Sequence, residues 1–169
     1  MNTGQIEKLL KTLPNFLGVF ASDKIPKILP RKRPQCFVVN LDPSWKPGSH
    51  WIAACFRKTK KKNVLEIFDS YGMAPNIKTG KEWKIIHNPH KFQKMGSIVC
   101  GHYSVYFVKN RLKGKTFKNI LKSLLDKTDP DTFVENEIIT PNVPGRKQVC
   151  KEKPVCPGCC AWYLENETE

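Results

Sequence analysis

Three short apolar runs constrain this chain more than any other feature: Cys36 to Asn40, His50 to Phe56 and Val64 to Phe68. Each is rich in Val, Ile, Phe or Ala, and clusters of Pro, Gly or Lys separate them, which is the pattern of successive β-strands. Trp83 to Ile86 adds a further strand, and the Asn, Pro, His and Gly content of His87 to Val99 predicts a loop. At 169 residues the chain supports one packed core and is too short for two comfortable domains. The reading is therefore one domain over residues 1–149 and a short cysteine-rich tail over 150–169.

Helical spacing appears on either side of these strands. Ile6, Leu9, Leu10 and Leu13 fall on one helical face and Pro14 closes the segment, predicting a short amphipathic helix. Phe16 to Pro34, rich in Pro and basic residues, reads as an irregular surface crossing. After Cys100, the residues Tyr103, Tyr106, Phe107 and Leu112 recur at roughly helical intervals, as in a buried helix that emerges at Lys109 and Arg111. Phe117, Ile120, Leu121, Leu124 and Leu125 mark a second, amphipathic helix between Thr116 and Asp129-Pro130. Pro141, Pro144 and Gly145 then break the chain into a linker, and no internal repeat is visible. The expected fold is α+β: a small, mainly antiparallel sheet with the Cys100-bearing helix packed against it and a cleft between helix and strand ends.

The seven cysteines are an odd number. Cys36, Cys55 and Cys100 stand singly in apolar or mixed segments, a poor pattern for a disulfide framework and a better fit to a reducing compartment. The first residues lack an apolar stretch of signal-peptide length, and no later run approaches a membrane span, so the expectation is an intracellular or intraviral protein that is not secreted and does not engage a membrane. Cys36 and Cys55 lie inside strands and read as buried core residues.

Cys100 differs, because it stands where a polar loop meets an apolar helix. There, backbone N–H groups and the helix dipole stabilise a thiolate. Gly101 next to it is expected to let a substrate backbone approach closely. A nucleophilic thiol needs a base, and the base needs a third group to hold its tautomer. His50 opens a strand after the turn Lys46-Pro47-Gly48-Ser49 and can project from the strand end into a cleft. His87 and His90 lie in a loop, and His102 is carried away from Cys100 by helix geometry, so these three read as surface or satisfied core residues. Asp69 ends the strand Val64 to Phe68 in another strand-end position; by itself such an Asp is a turn former more often than a catalytic residue.

The strings FLGVF, HWIAACF, IFDSYG and CGHYSVYF, in that order, resemble the adenovirus protease (adenain) family and its relatives in Maverick/Polinton-type elements and related DNA viruses. The resemblance spans Phe16 to about Leu112. It implies a papain-like cysteine protease fold of the adenain and ubiquitin-like-protease type, and an order of His, acidic residue, Gln and Cys. By that resemblance His50 matches the general base, Asp69 its acidic partner, Cys100 the nucleophile and Gln93 the oxyanion-hole amide. Some family members carry Glu at the acidic position. The Gln role makes physical sense, since an amide N–H where negative charge builds on the carbonyl oxygen is worth about 3 kcal/mol of barrier. The implied activity is an endopeptidase acting on viral or virus-like-element capsid and core precursors, in the virion and host nucleus. No cofactor is required for that chemistry, although the family implies DNA and an activating peptide from a capsid protein as partners. A related reading is an isopeptidase of the same clan that removes ubiquitin or SUMO-like modifiers.

Charge adds an independent expectation. Twenty-nine Lys and Arg against fifteen Asp and Glu give a net charge of +14, which favours polyanionic partners. Arg57, Lys58, Lys60, Lys61 and Lys62 fall between two strands and are expected to form a positive hairpin tip for non-specific, phosphate-based binding of duplex DNA. Lys109, Arg111, Lys113, Lys115 and Lys118 supply a second patch; simple solubilisation explains either patch as well. In the tail, Cys150, Cys156, Cys159 and Cys160 contain a Cys-x-x-Cys step that suits zinc, with free thiols or redox pairing to a partner as the alternatives. A reading from another class follows: a basic, non-enzymatic nucleic-acid-binding protein with a zinc-knuckle tail.

Overall fold

The structure, a computed structural model, describes residues 1–25, 31–74 and 81–139. The tail cysteines Cys150, Cys156, Cys159 and Cys160, and the boundary expected near residue 149, lie outside the described residues. Helix α1 (Thr3–Leu10) precedes five strands, β1 (Phe16–Ala21), β2 (Gln35–Asn40), β3 (Trp51–Lys58), β4 (Asn63–Phe68) and β5 (Trp83–His87), and three helices follow, α2 (Cys100–Leu112), α3 (Phe117–Leu125) and α4 (Pro130–Ile139). The strands form one sheet in the order β1-β2-β3-β4-β5. Its centre, β2-β3-β4, is antiparallel, and β1 and β5 add parallel to its two edges. Among the described residues no helix is long and apolar enough to cross a membrane.

The strands read as nearly continuous apolar runs because both faces of the sheet carry clusters of buried apolar side chains. Cys36, Val38, Ala53, Cys55 and Phe68 point to the helical side, where they pack with Ile6 and Leu10 of α1 and with Tyr103 and Phe107 of α2. Phe37, Val39, Ile52, Ala54, Leu65 and Ile67 form a second cluster on the opposite face. Helix α1 starts with a capping box: the Asn2 side chain accepts from the Gln5 backbone N–H at 2.9 Å, and the Gln5 side chain accepts from the Asn2 N–H at 2.9 Å.

Several expectations are corrected. Phe16 to Pro34 is not irregular throughout, because Phe16–Ala21 forms β1. It pairs in parallel with β2, and such a partner is reached only through a long crossover that leaves no local sequence mark. Asp129-Pro130 does not merely end the preceding helix. It begins α4, with Asp129 Oδ2 accepting from the Thr132 hydroxyl at 2.8 Å and Pro130 in the first helical position, where its missing N–H costs nothing. Cys36 and Cys55 are fully buried as expected, yet they are joined in a disulfide. They sit directly opposite each other on β2 and β3, with Cα atoms 4.0 Å apart, so the strand register brings together two thiols that the sequence separates by 19 residues.

The basic residues are also redistributed. The β3–β4 turn is closed by the Thr59 N–H donating to the Lys62 carbonyl at 2.9 Å, and Lys58, Lys60, Lys61 and Lys62 are exposed around it. Arg57 instead turns inward and donates to Glu66 Oε1 at 2.9 Å. Arg111, expected in the second patch, is buried and grips the same carboxylate, Nε to Oε2 at 2.6 Å and a terminal nitrogen to Oε1 at 3.1 Å. This triad ties the hairpin to the C-terminal end of α2, so exposed Lys113 and Lys115 lie at the same end of the molecule as the hairpin lysines.

Candidate active site

Where β3 begins and β4 ends, the antiparallel register places two chain segments side by side. His50 immediately precedes β3 and Asp69 immediately follows β4. Both are buried, at 3% and 4% exposure, and His50 Nε2 lies 2.8 Å from Asp69 Oδ1. Asp69 is held from three sides. Its Oδ1 also accepts from the Tyr71 N–H at 2.8 Å, and the Asn88 side chain brackets its backbone, accepting from the Asp69 N–H at 2.8 Å and donating to the Asp69 carbonyl at 2.6 Å. Asn88 itself is fully buried just beyond β5.

Cys100 is the first residue of α2 and is a buried thiol. The N-cap is Val99, which supplies no side-chain hydrogen bond, and the first turn carries no acidic residue. A buried helix start without the usual Ser, Thr, Asp or Asn cap leaves its positive end to whatever group stands there. Here that group is the Cys100 sulfur, and a thiolate is the form such a field favours.

The His50 imidazole feels both neighbours. Burial by itself pushes its pKa down, but the hydrogen bond to Asp69, the interaction with Cys100 and the negative charges of both outweigh that and raise it to about 9. Nε2 is committed to Asp69, so proton exchange with a thiol runs through Nδ1, which is buried without a well-formed hydrogen bond. The Tyr71 ring covers the imidazole, with ring centroids 4.9 Å apart.

Gln93 is 1% exposed and is wired to the same short segment. Its Oε1 accepts from the Ser70 hydroxyl at 2.6 Å, and its Nε2 donates to the Ser97 carbonyl at 2.6 Å and to the Tyr71 hydroxyl at 3.2 Å. A carbonyl only accepts, so the contact with Ser97 fixes which end of the amide is nitrogen. Ser70 adds a backbone clamp, its carbonyl receiving the N–H groups of Phe92 and Gln93. The string Asp69-Ser70-Tyr71 thus reaches His50 with its first residue and Gln93 with its second and third. Gly72 closes this turn at φ +72°, and a Cβ there would stand 2.7 Å from the His90 backbone, so only glycine fits.

The structure brings His50, Asp69, Gln93 and Cys100 into one buried region. The exposed lysines of the hairpin, Lys58, Lys60, Lys61 and Lys62, lie at the other end of β3 and β4, away from it. Sequence reasoning missed Ser70, Tyr71 and Asn88. Ser70 and Tyr71 were visible as part of the FDSYG string, but nothing in Asn88-Pro89 distinguishes a buried clamp from a turn. Gly101 also differs from expectation: the space above it is taken by Met1, whose Cβ lies 2.9 Å from the place a Gly101 Cβ would occupy. The room left by that glycine serves the chain's own N-terminal residue.

No protein-family model matches the chain. A protein named as a thiol protease in Acanthamoeba polyphaga mimivirus is 30% identical over 101 residues, covering 52% of this chain and 33% of that protein. The chain thus spans about a third of the length of that curated relative. Among solved structures, the crystal structure of a protease from ASFV aligns with a TM-score of 0.55 at 14% identity, covering 79% of this chain and 65% of that one. At that identity the likeness establishes a shared α+β fold. The likeness in sequence is to a protein named as a thiol protease and the likeness in structure is one of fold; neither is to the adenain family in particular.

Proposed function

We propose that this chain is a cysteine endopeptidase in which Cys100 is the nucleophile, His50 its base, Asp69 the group that orients His50, and Gln93 an oxyanion donor. The observation that carries the reading is the buried His50–Asp69 pair at 2.8 Å, whose imidazole also senses the Cys100 thiol at the uncapped start of α2. The similarity to a viral thiol protease supports it. A non-enzymatic nucleic-acid-binding protein has no use for such a pair.

With His50 protonated up to about pH 9, the resting pair is an imidazolium beside a thiolate. The thiolate attacks a peptide carbonyl, and the carbonyl electrons move onto oxygen. The Cys100 backbone N–H and the Gln93 amide then stabilise that oxyanion. The Gln93 donation to Tyr71 is the longer of its two, 3.2 Å against 2.6 Å, and is the one exchanged for substrate. Collapse expels the leaving amine, which takes the proton from His50 and leaves an acyl thioester. His50, now neutral, removes a proton from water as it attacks the thioester, and the carboxylic acid departs with regeneration of the ion pair.

The substrates in this reading are capsid or core precursors of a virus or virus-like element, processed inside the particle or host nucleus. Lys58, Lys60, Lys61, Lys62, Lys113 and Lys115, clustered away from the cleft, hold duplex DNA through phosphates, and a capsid-derived peptide activates the enzyme. The test uses the full chain with a peptide carrying a thiol-reactive group, and pairs capsid-type peptides with ubiquitin-like fusions as substrates. Cys100→Ala is expected to abolish labelling and cleavage while the circular dichroism spectrum stays unchanged. Undiminished cleavage by that variant would falsify the assignment. Preferential cleavage of the ubiquitin-like fusions would move the reading to an isopeptidase.

A further inference from the structure

The cleft at Cys100 is small. A cavity of about 260 Å³ reaches the thiol between Trp51, Pro47, Met1 and Ile98, below the size usual for a pocket that holds a ligand by itself. Beyond Met1 and Ile98, which wall both, lies a second cavity of about 520 Å³ bounded by Lys8 and Leu9 of α1, His102 of α2, and Glu135 and Ile138 of α4. His102 is two residues from Cys100 on the same helix and on the opposite side of its axis, so the two cavities flank the start of α2 and meet only at Met1 and Ile98.

The divider between the two is built into the fold. The Trp51 indole N–H donates to the Met1 carbonyl at 3.1 Å, the capping box fixes Asn2 immediately after it, and the Met1 side chain rests on Gly101. A chain bound at Cys100 therefore passes over a fixed sill into the larger groove. Leu9, Ile98 and Ile138 make that groove apolar inside, with Lys8 and Glu135 on facing helices at its rim.

We propose that the groove between α1, α2 and α4 is a substrate subsite, occupied by an apolar residue of the substrate polypeptide that lies outside the segment held at Cys100. This rests on the peptidase reading above. Continuity with the cleft through Met1 and Ile98 argues for substrate as the occupant rather than a separate ligand.

The test has two arms, both in the full-length chain. In the first, kcat/KM is compared for short internally quenched peptides and for the same peptides extended on either side by four residues that include Leu. The extension is expected to raise kcat/KM about tenfold, the gain from burying one such side chain, and Lys8→Trp, which fills the rim, is expected to bring the ratio of long to short down to about one. Equal rates for long and short peptides, or a ratio untouched by Lys8→Trp, overturn the proposal. In the second arm, a photo-crosslinking amino acid at position 8 of the Cys100→Ala protein is irradiated with the long peptide, and the adduct is located by mass spectrometry. Adducts on the peptide support the subsite; adducts on the chain's own residues after 139 overturn it, since the groove then belongs to the tail. If no peptide is cleaved, the peptidase reading fails by itself, and the second arm still decides the groove.

Discussion

Strands β3 and β4 carry a buried acid–base pair at each end, and the two are built in opposite ways. At the hairpin end, Glu66 is saturated: Oε1 receives Arg57 and Arg111, Oε2 receives Arg111 Nε, and another Arg111 nitrogen donates to the Lys115 carbonyl at 2.8 Å. At the opposite end, Asp69 is just as firmly held, but its partner His50 keeps Nδ1 buried without a well-formed hydrogen bond. Saturation makes a fixed strut, since both Glu66 oxygens and the buried Arg111 are already committed to the fold. The incomplete pair retains one atom able to give and take a proton. Burial of charge alone therefore does not distinguish the two pairs; what differs is that the His50 pair faces the Cys100 thiol while the Glu66 pair faces only the fold.

The largest expected effect tests the strut. Arg111→Met leaves Glu66 partly uncompensated in the core and is expected to cost about 3–5 kcal/mol of folding stability, read by chemical denaturation. Adding Glu66→Leu should recover most of it, because Arg57 is partly exposed and can turn to solvent. A double variant as unstable as the single one would mean the triad does more than balance charge. At the His50 end, the proposed oxyanion role predicts that Gln93→Ala costs about 3 kcal/mol of barrier, around a hundredfold in kcat with little change in KM. An equal loss in binding would assign Gln93 to holding the Ser70–Tyr71 turn instead.

A pH measurement sharpens the contrast further. The folded pKa of His50 is raised from 6.5 to about 9, so its stabilisation is fully present below about pH 6.5 and is lost as pH rises through about 9. Peptidase activity should fall along the same upper limb. Asp69→Asn removes the charge and should move that limb to lower pH; an unmoved limb would mean that another group sets it. The smallest stability effect belongs to the exposed hairpin. Lys60→Glu with Lys61→Glu should change stability by less than about 0.5 kcal/mol, yet weaken duplex DNA binding and flatten its dependence on salt. DNA affinity independent of both lysines would separate the basic tip from nucleic-acid binding.

How far the sequence could be read follows the range of the interactions involved. The central strands, the buried helix at Cys100 and the amphipathic α3 were legible because each declares itself within its own residues. Helix α4 was not: its inward positions include Asp131, whose carboxylate accepts from the Tyr103 hydroxyl at 2.8 Å, so a polar residue interrupts the apolar spacing of Val134 and Ile138. Edge strand β1 depends on a parallel partner reached by a long crossover. Arg57 and Arg111 looked like surface charge until one glutamate on a neighbouring strand drew both inward.

The residues of the candidate site were legible as types in order, because a thiol, an imidazole, a carboxylate and an amide are chemically conspicuous. Their geometry was not. The approach of His50 to Asp69 depends on the β3–β4 register, the clamp on Asp69 comes from Asn88 beyond β5, the space over Gly101 is claimed by Met1 from the start of the chain, and Cys36 meets Cys55 only through β2–β3 pairing. By itself, the sequence determined which chemically conspicuous groups stand in which order and where the central strands, the Cys100 helix and α3 form, since patterning and side-chain identity are local. Tertiary structure alone decided which carboxylate is gripped by two arginines and which by an imidazole, which cations face solvent, and which glycine makes room for the chain itself. Those outcomes depend on distances between residues far apart in the chain, and only the folded packing sets such distances.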